Sequence, residues 1–352
     1  MKTYKFLAVA LVATGIFSAC TNEVVVQPVN LSDPAEIAFH LQGGMPEATY
    51  ATATTTLNVD AFAVYGIDDV ANTGTGDNIL QGVTVARQVV GGGFDYNPKK
   101  YFSDGVANAQ FFAYSPVSAR KDITNLPTAS VFGGASFDYK VVIPDNSGNT
   151  TQEDLLVAGT SFTFNPSLPA TPVNLVFTHA LSRIFVKATN ALSQDVVITG
   201  LTLKALHSEG TITGSTAAPW TWAWSAQQTP IDYDYILAST GVAVKAGTGF
   251  GTAPNDEPIL VTSMEQGMMI IPQATAANNG DDVYNAGEFA LEVTYDIANR
   301  IGEKKYVFFA TPYTFAYNNQ YAITIAFSGT DQIEINFTIS VSPFGTPITN
   351  LP

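Results

Sequence analysis

The chain has 352 residues, 15 basic against 30 acidic side chains, a formal charge of −15 and only 13% charged residues. A surface this acidic repels nucleic acid and anionic lipid headgroups, which excludes nucleic-acid binding and membrane attachment through a basic patch. A single cysteine excludes an internal disulfide, so stability rests on buried apolar area, and the length suits about two domains.

The first element is a leader. Lys2 and Lys5 precede an apolar run from Phe6 to Phe17, and Ser18-Ala19-Cys20 follows. The run is too short to span a bilayer, and its basic start, apolar middle and small residues before the cysteine read as a lipoprotein signal peptide over residues 1–19. Phe17 stands where an aliphatic residue is more usual, and the alternative is an ordinary signal peptide that ends near a cysteine. Cleavage before Cys20 makes it an acylated N-terminus, so acyl chains hold the protein to the outer membrane as a cell-surface lipoprotein. The mature chain then carries 13 basic and 30 acidic residues, a formal charge of −17. Residues 20–35, with Pro28 and Pro34 and few large aromatics, suit an extended tether.

Short alternating runs closed by turn residues follow, the pattern of an all-β sandwich or barrel. Glu36 to Leu41 alternates and stops at Gly43-Gly44, giving the first strand of the fold. Further strands are expected at Leu57–Tyr65, ending at Gly66, at Gln110–Tyr114, ending at Ser115-Pro116, and at Phe137–Ile143, ending at Pro144. Polar or glycine-rich stretches at Asn72–Asn78, Gly91–Gly93, Gly247–Pro258 and Ala274–Gly287 read as loops. Repeated proline between Asn165 and Pro172 prevents a ladder and marks a boundary, with one domain over 36–168 and a second over 169–352. The clearest strand is the last, where Ile333, Ile335, Phe337, Ile339 and Val341 alternate with polar residues, so one face is buried or covered by a partner.

Chemistry is sparse. His40, His179 and His207 lie in separate strand-like contexts, and no nucleophile elbow, metal-protease helix or Walker loop occurs. Gly247-Thr248-Gly249-Phe250-Gly251 is followed by proline instead of a helix, so it is a loop and not a phosphate cradle. The acidic loops Asp68-Asp69 and Asn278–Asp282 do not have EF-hand spacing. No catalytic residue, cofactor or metal is expected, and the protein is not read as an enzyme. Trp220, Trp222 and Trp224 fall on one strand face at period two. Exposed, they form a stacking platform for sugar rings; buried, they wall a core, which is the favoured reading because cores hold most aromatic area.

Six segments, in this order, carry a family resemblance: Ala109–Pro116, Asp154–Ala158, Val173–Ile184, Ile270–Gln273, Asn318–Ile323 and Val341–Phe344. Together, beneath a lipoprotein signal, they resemble the fimbrillin family of Bacteroidetes surface lipoproteins, the subunits of type V pili and their anchor and tip relatives. The resemblance implies two tandem transthyretin-like β-sandwich domains and a structural or accessory pilus subunit that serves adhesion to a host or bacterial surface. It also implies assembly with other fimbrillin subunits by strand exchange, in which a protease removes the lipidated segment and first strand and a strand of the next subunit fills the groove.

Carried onto this chain, the removable strand is Glu36–Leu41, with Ile37, Phe39 and Leu41 pointing inward, and the candidate inserting strand is Ile333–Val341. His179, which recurs in the resembling pattern, is expected to make a structural hydrogen bond near the domain junction. Family members often carry an arginine soon after the first strand, yet no lysine or arginine occurs here from Cys20 through Ala86, and Arg87 is the first. Either another specificity cuts in the threonine-rich loop, or the first strand stays and the protein is an anchor, a tip-like subunit or a non-polymerising adhesin. The alternative function is a non-polymerising glycan-binding surface lipoprotein that uses Trp220, Trp222 and Trp224.

Overall fold

A computed structural model describes residues 35–41, 59–68, 76–88, 93–102, 107–126, 136–143, 152–165, 168, 170–215, 220–227, 230–249, 258–262, 267–276, 278, 283–309, 312–329 and 334–344. The signal peptide, Cys20, the tether before Ala35, Gly43-Gly44 and the threonine-rich loop lie outside the described residues, as does Ile333.

The described chain is all-β, as the alternation predicts. Its first half supplies β1 (Phe39–Leu41), β2 (Ala61–Asp68), β3 (Asp77–Arg87), β4 (Phe94–Asp95) and β5 (Ala107–Ser115). After a 3-10 turn at Val117–Asp122 come β6 (Ile123–Thr124), β7 (Ser136–Lys140), β8 (Leu156–Phe164), β9 (Val173–Leu175) and β10 (Thr178–His179). An antiparallel sheet in the order β10-β8-β5-β2-β3-β4 forms the centre of this half. The expected loop at Asn72–Asn78 is corrected at its end: Asp77 and Asn78 already pair with Asp68 and Ile67 in the β2–β3 ladder.

Strands β2 and β5 are buried on both faces, which explains why Phe62 to Tyr65 and Phe111 to Tyr114 read as unbroken apolar runs. Phe62, Val64, Phe111 and Ala113 face one core, shared with Ile37, Phe39, Val173, Leu175 and Phe177. Tyr65, Phe112 and Tyr114 face a second core, with Phe137, Tyr139, Ile212 and Trp222. The expected first strand is shorter than its alternation: only Phe39–Leu41 is laddered, parallel to β9, while Glu36 makes an isolated bridge to Tyr101.

The second half supplies β11 (Ser182–Asn190), β12 (Val196–Leu206), β13 (Glu209–Gly214), β14 (Trp222–Gln227), β15 (Ile231–Asp234), β16 (Val242–Val244) and β17 (Ile259–Leu260). It continues with β18 (Met268–Ile270), β19 (Gln273–Ala274), β20 (Ala290–Ile297), β21 (Arg300–Phe308), β22 (Thr314–Phe315), β23 (Asn319–Ser328) and β24 (Glu334–Pro343). One sheet runs β17-β11-β23-β24 with β18 also on β11, and another runs β15-β12-β20-β21 with β16 also on β12. Ile184, Val186, Ile323 and Ile325 of the first meet Leu201, Leu203, Leu291 and Val293 of the second in one core.

The two halves are tied through a sheet in the order β14-β13-β7-β6. Here Phe137 lies opposite Ile212 and Tyr139 opposite Gly210, so a strand before the proline-rich connection pairs with one after it. Val173, Leu175 and Phe177, which follow those prolines, pack into the core of the first half.

Candidate functional site

The first strand sits in a groove made by β9 on one side and the Tyr96–Phe102 segment on the other. The Ile37 N–H donates to Lys100 O at 2.9 Å, the Phe102 N–H to Ala35 O at 2.9 Å, and the Val173 N–H to Ala38 O at 2.7 Å. The Tyr96 hydroxyl donates to Ile37 O at 2.7 Å. Ile37 is fully buried and Phe39 is 5% exposed, and the Phe39 ring meets Phe62, Tyr96 and Phe111 with centroids 5.6–6.0 Å away. Leu41 is half-buried and His40 faces out. Three apolar side chains alternating on so short a strand are what a replaceable segment needs, since its backbone makes the ladder and its alternate side chains fill the core.

A charged latch closes the start of this strand. Lys99 donates to both Glu36 and Asp95. Those bonds, Asp95 first, hold the Lys99 ammonium well above the usual lysine range, and the bond from Lys99 holds the Asp95 carboxyl below the usual carboxylate range. The sequence offered no sign of Tyr96 or Lys99 as partners of the first strand, because the contact spans about sixty positions and has no local periodicity.

At the other end of the chain, β24 is laddered antiparallel to β23 from Glu334, opposite Ser328, to Pro343, opposite Asn319. Its outer edge carries no strand among the described residues. Ile335, Phe337 and Ile339 turn inward and are half-buried, Phe337 against Phe309 with centroids 4.7 Å apart. Val341 is 50% exposed, so the inward set of this strand ends at Ile339. The candidate inserting strand is therefore docked in its own chain through a thinly covered face.

The three indoles turn inward, while Thr221, Ala223 and Ser225 are exposed. Trp222 is 6% exposed and lies 5.9 Å from Phe112, and the Trp224 indole N–H donates to Ala180 O at 2.8 Å. Trp220 lies over Gly159, where a Cβ would come within 1.9 Å of the indole. A three-indole platform facing solvent is thus missing, and the row instead seals the junction between β8 and the β13–β14 hairpin.

His179 and Asp154 form a buried pair, with Nδ1 2.8 Å from Oδ2. Phe344 stacks on the imidazole at 3.8 Å. Arg183 lies beside them with its guanidinium 4.6 Å from the Phe185 ring, and burial pushes its pKa down to about 10. This is the structural bond expected of His179; the partner, Asp154, was invisible in sequence. Among the described residues no three His, Cys, Asp or Glu side chains converge as a metal shell. Arg87, the first lysine or arginine after Cys20, ends β3, donates from Nε and Nη2 to Val59 O at 3.1 and 3.0 Å, and lies over Phe94.

The Fimbrillin-like family matches residues 49–341. No curated protein matches the chain. Among solved structures, a fimbrial protein from Bacteroides vulgatus is similar, with 14% identity over 88% of this chain and 99% of its own, and a TM-score of 0.58. Weaker likenesses include the tip fimbrial protein Mfa3 of Porphyromonas gingivalis, with 12% identity over 80% of this chain and 93% of its own and a TM-score of 0.40. A fimbrial assembly protein from Parabacteroides distasonis follows, with 11% identity over 88% of this chain and 100% of its own and a TM-score of 0.40.

Proposed function

The chain belongs to the fimbrillin-like family, and on that premise we propose that it is an outer-membrane lipoprotein and a subunit of an adhesive surface fibre joined by strand exchange. Cys20 carries the acyl anchor; no helix among the described residues is long and apolar enough to cross a membrane. The groove beneath β1 is the acceptor site, and the apolar alternation of β24 makes it the candidate donor.

The observation that carries this reading is the seat of the first strand. Burying Ile37 and Phe39 contributes roughly 1.5–3 kcal/mol each, and the backbone bonds around them add about 1 kcal/mol apiece. Such a gross contribution is comparable with the whole stability of a domain, about 5–15 kcal/mol. An emptied groove is therefore unstable and sticky, and it demands another strand. Donation by β24 requires its ladder to β23 to open, which the half-buried state of Ile335, Phe337 and Ile339 makes less costly than for a central strand.

Cleavage after Arg87 would detach β2 and β3 along with β1, removing a central strand of the sheet. The cut that vacates the groove is instead assigned to residues 42–58, where a protease that does not need lysine or arginine must act. Intact-mass and N-terminal analysis of the protein from its native envelope, run beside boiled and unboiled gels, tests this. The expected result is an N-terminus beyond Leu41 with a heat-sensitive ladder. An acylated Cys20 with no ladder would overturn strand exchange and leave a permanently anchored protein.

A further inference from the structure

Beside the indole row, a cavity of about 340 Å³ opens between β8 and the stretch from β9 to β10. Its apolar wall is Trp220 with the edge of Trp222, and its polar lining comes from Thr160, Ser161, Asn174 and Thr178. Among the described residues none of its lining side chains is charged, in a chain with 30 acidic residues. The volume is at the small end of the range for ligand pockets, roughly 300–1,000 Å³, which suits a short saccharide.

The Trp220 indole is fixed, not floppy. Its six-membered ring presses on Gly159, where any side chain would collide with it, and approaches Gly214, where a side chain would collide with Trp222. Its Nε1, on the opposite edge of the ring system, is out of solvent and has no hydrogen-bond acceptor among the described residues. Asn174 and Ser161 are exposed at the rim, and β8 beyond Gly159 carries no strand on this edge among the described residues.

We infer that this cavity binds one neutral sugar unit of a glycan, stacked on Trp220 and hydrogen-bonded by Ser161, Asn174 and Thr178. An aromatic wall matches the apolar face of a pyranose ring, and hydroxyl and carboxamide groups exchange hydrogen bonds with its hydroxyls. The absence of a lysine or arginine in the lining selects against acidic sugars, which need a cation to offset the desolvation of a carboxylate. The site uses one indole of the row, and it does not require β1 to leave its groove.

The test is saturation-transfer NMR on the intact protein with glucose, galactose, mannose, N-acetylglucosamine and lactose, beside N-acetylneuraminic and glucuronic acids. Transfer to at least one neutral sugar is expected, with affinity falling about tenfold in Asn174→Ala and in Trp220→Ala, the factor that about 1.4 kcal/mol of lost interaction produces. Asn174 is exposed, so Asn174→Ala keeps the fold and decides the matter even if Trp220→Ala does not fold. No transfer to any neutral sugar, transfer to the acidic sugars alone, or binding that survives Asn174→Ala would overturn the assignment. So would loss of fibre assembly in Asn174→Ala without sugar binding, which would give the cavity to a neighbouring subunit.

Discussion

Replacing Phe39 by alanine tests directly whether the first strand is structural filling for the first core. The ring is 5% exposed, set edge-on to Phe62 at 6.0 Å and Phe111 at 5.6 Å and tilted on Tyr96 at 6.0 Å. Truncating such a side chain costs about 3–5 kcal/mol from lost transfer energy and the cavity left behind, including aromatic pair terms of about 0.5–1.5 kcal/mol. Because β1 has only three laddered residues and the stretch before it is held by one isolated bridge, Glu36 to Tyr101, the site can partly collapse, so a loss near 3 kcal/mol is expected. With a urea slope of about 3 kcal/mol/M, the midpoint of the transition that reports the first half falls by about 1 M. Hydrogen exchange supplies the local readout, since the Ile37 and Val173 amides, bonded across the groove, lose protection first. Phe39→Leu, which keeps most of the volume, costs less than about 1.5 kcal/mol. A loss below about 1 kcal/mol for Phe39→Ala, or unchanged protection at Ile37, would refute the view that β1 completes this core and with it the acceptor groove.

Four further expectations follow from the same geometry. Gly159→Ala drives a methyl group into the Trp220 indole, where 1.9 Å is available, and destabilises by about 1–3 kcal/mol; indole emission shifts to the red, and an unshifted spectrum would contradict the packing. Trypsin acting on the folded protein leaves β1 attached, because Arg87 is locked in β3 by Val59 O, and a released fragment ending at Arg87 would show otherwise. The Lys99 latch is fully formed in the neutral range: the lowered pKa of Asp95 means its share is present above the ordinary carboxylate pKa and lost as pH falls through the folded value, below about 4. The raised pKa of Lys99 means its share is complete below the ordinary lysine pKa of about 10.4 and lost only above it. Protection at the Ile37 amide should therefore weaken in acid, and Lys99→Met should remove the acid-dependent part; a pH-independent wild type would refute the latch. Phe337→Asp should abolish fibre assembly, because a carboxylate at an inward position cannot enter a core, while a folded variant that still polymerises excludes β24 as the inserting strand.

Much of this protein was legible in its residues. Period-two alternation marks β1, β7 and β24, because a strand with one covered face must alternate, and the same rule predicted that the tryptophan row shares one face. Local pattern could not tell that β2 and β5 are covered on both faces, since a continuous apolar run has no phase.

The tertiary structure alone decided which distant groups meet. The parallel pairing of β1 with β9, the β7–β13 ladder between halves, the Lys99 latch, the Asp154 partner of His179 and the glycine seat of Trp220 join residues separated by tens to more than a hundred positions. Sequence fixes the period of a strand because backbone geometry is local. Which strand lies beside which depends on how the whole apolar surface can be buried at once, and that is a property of the complete chain.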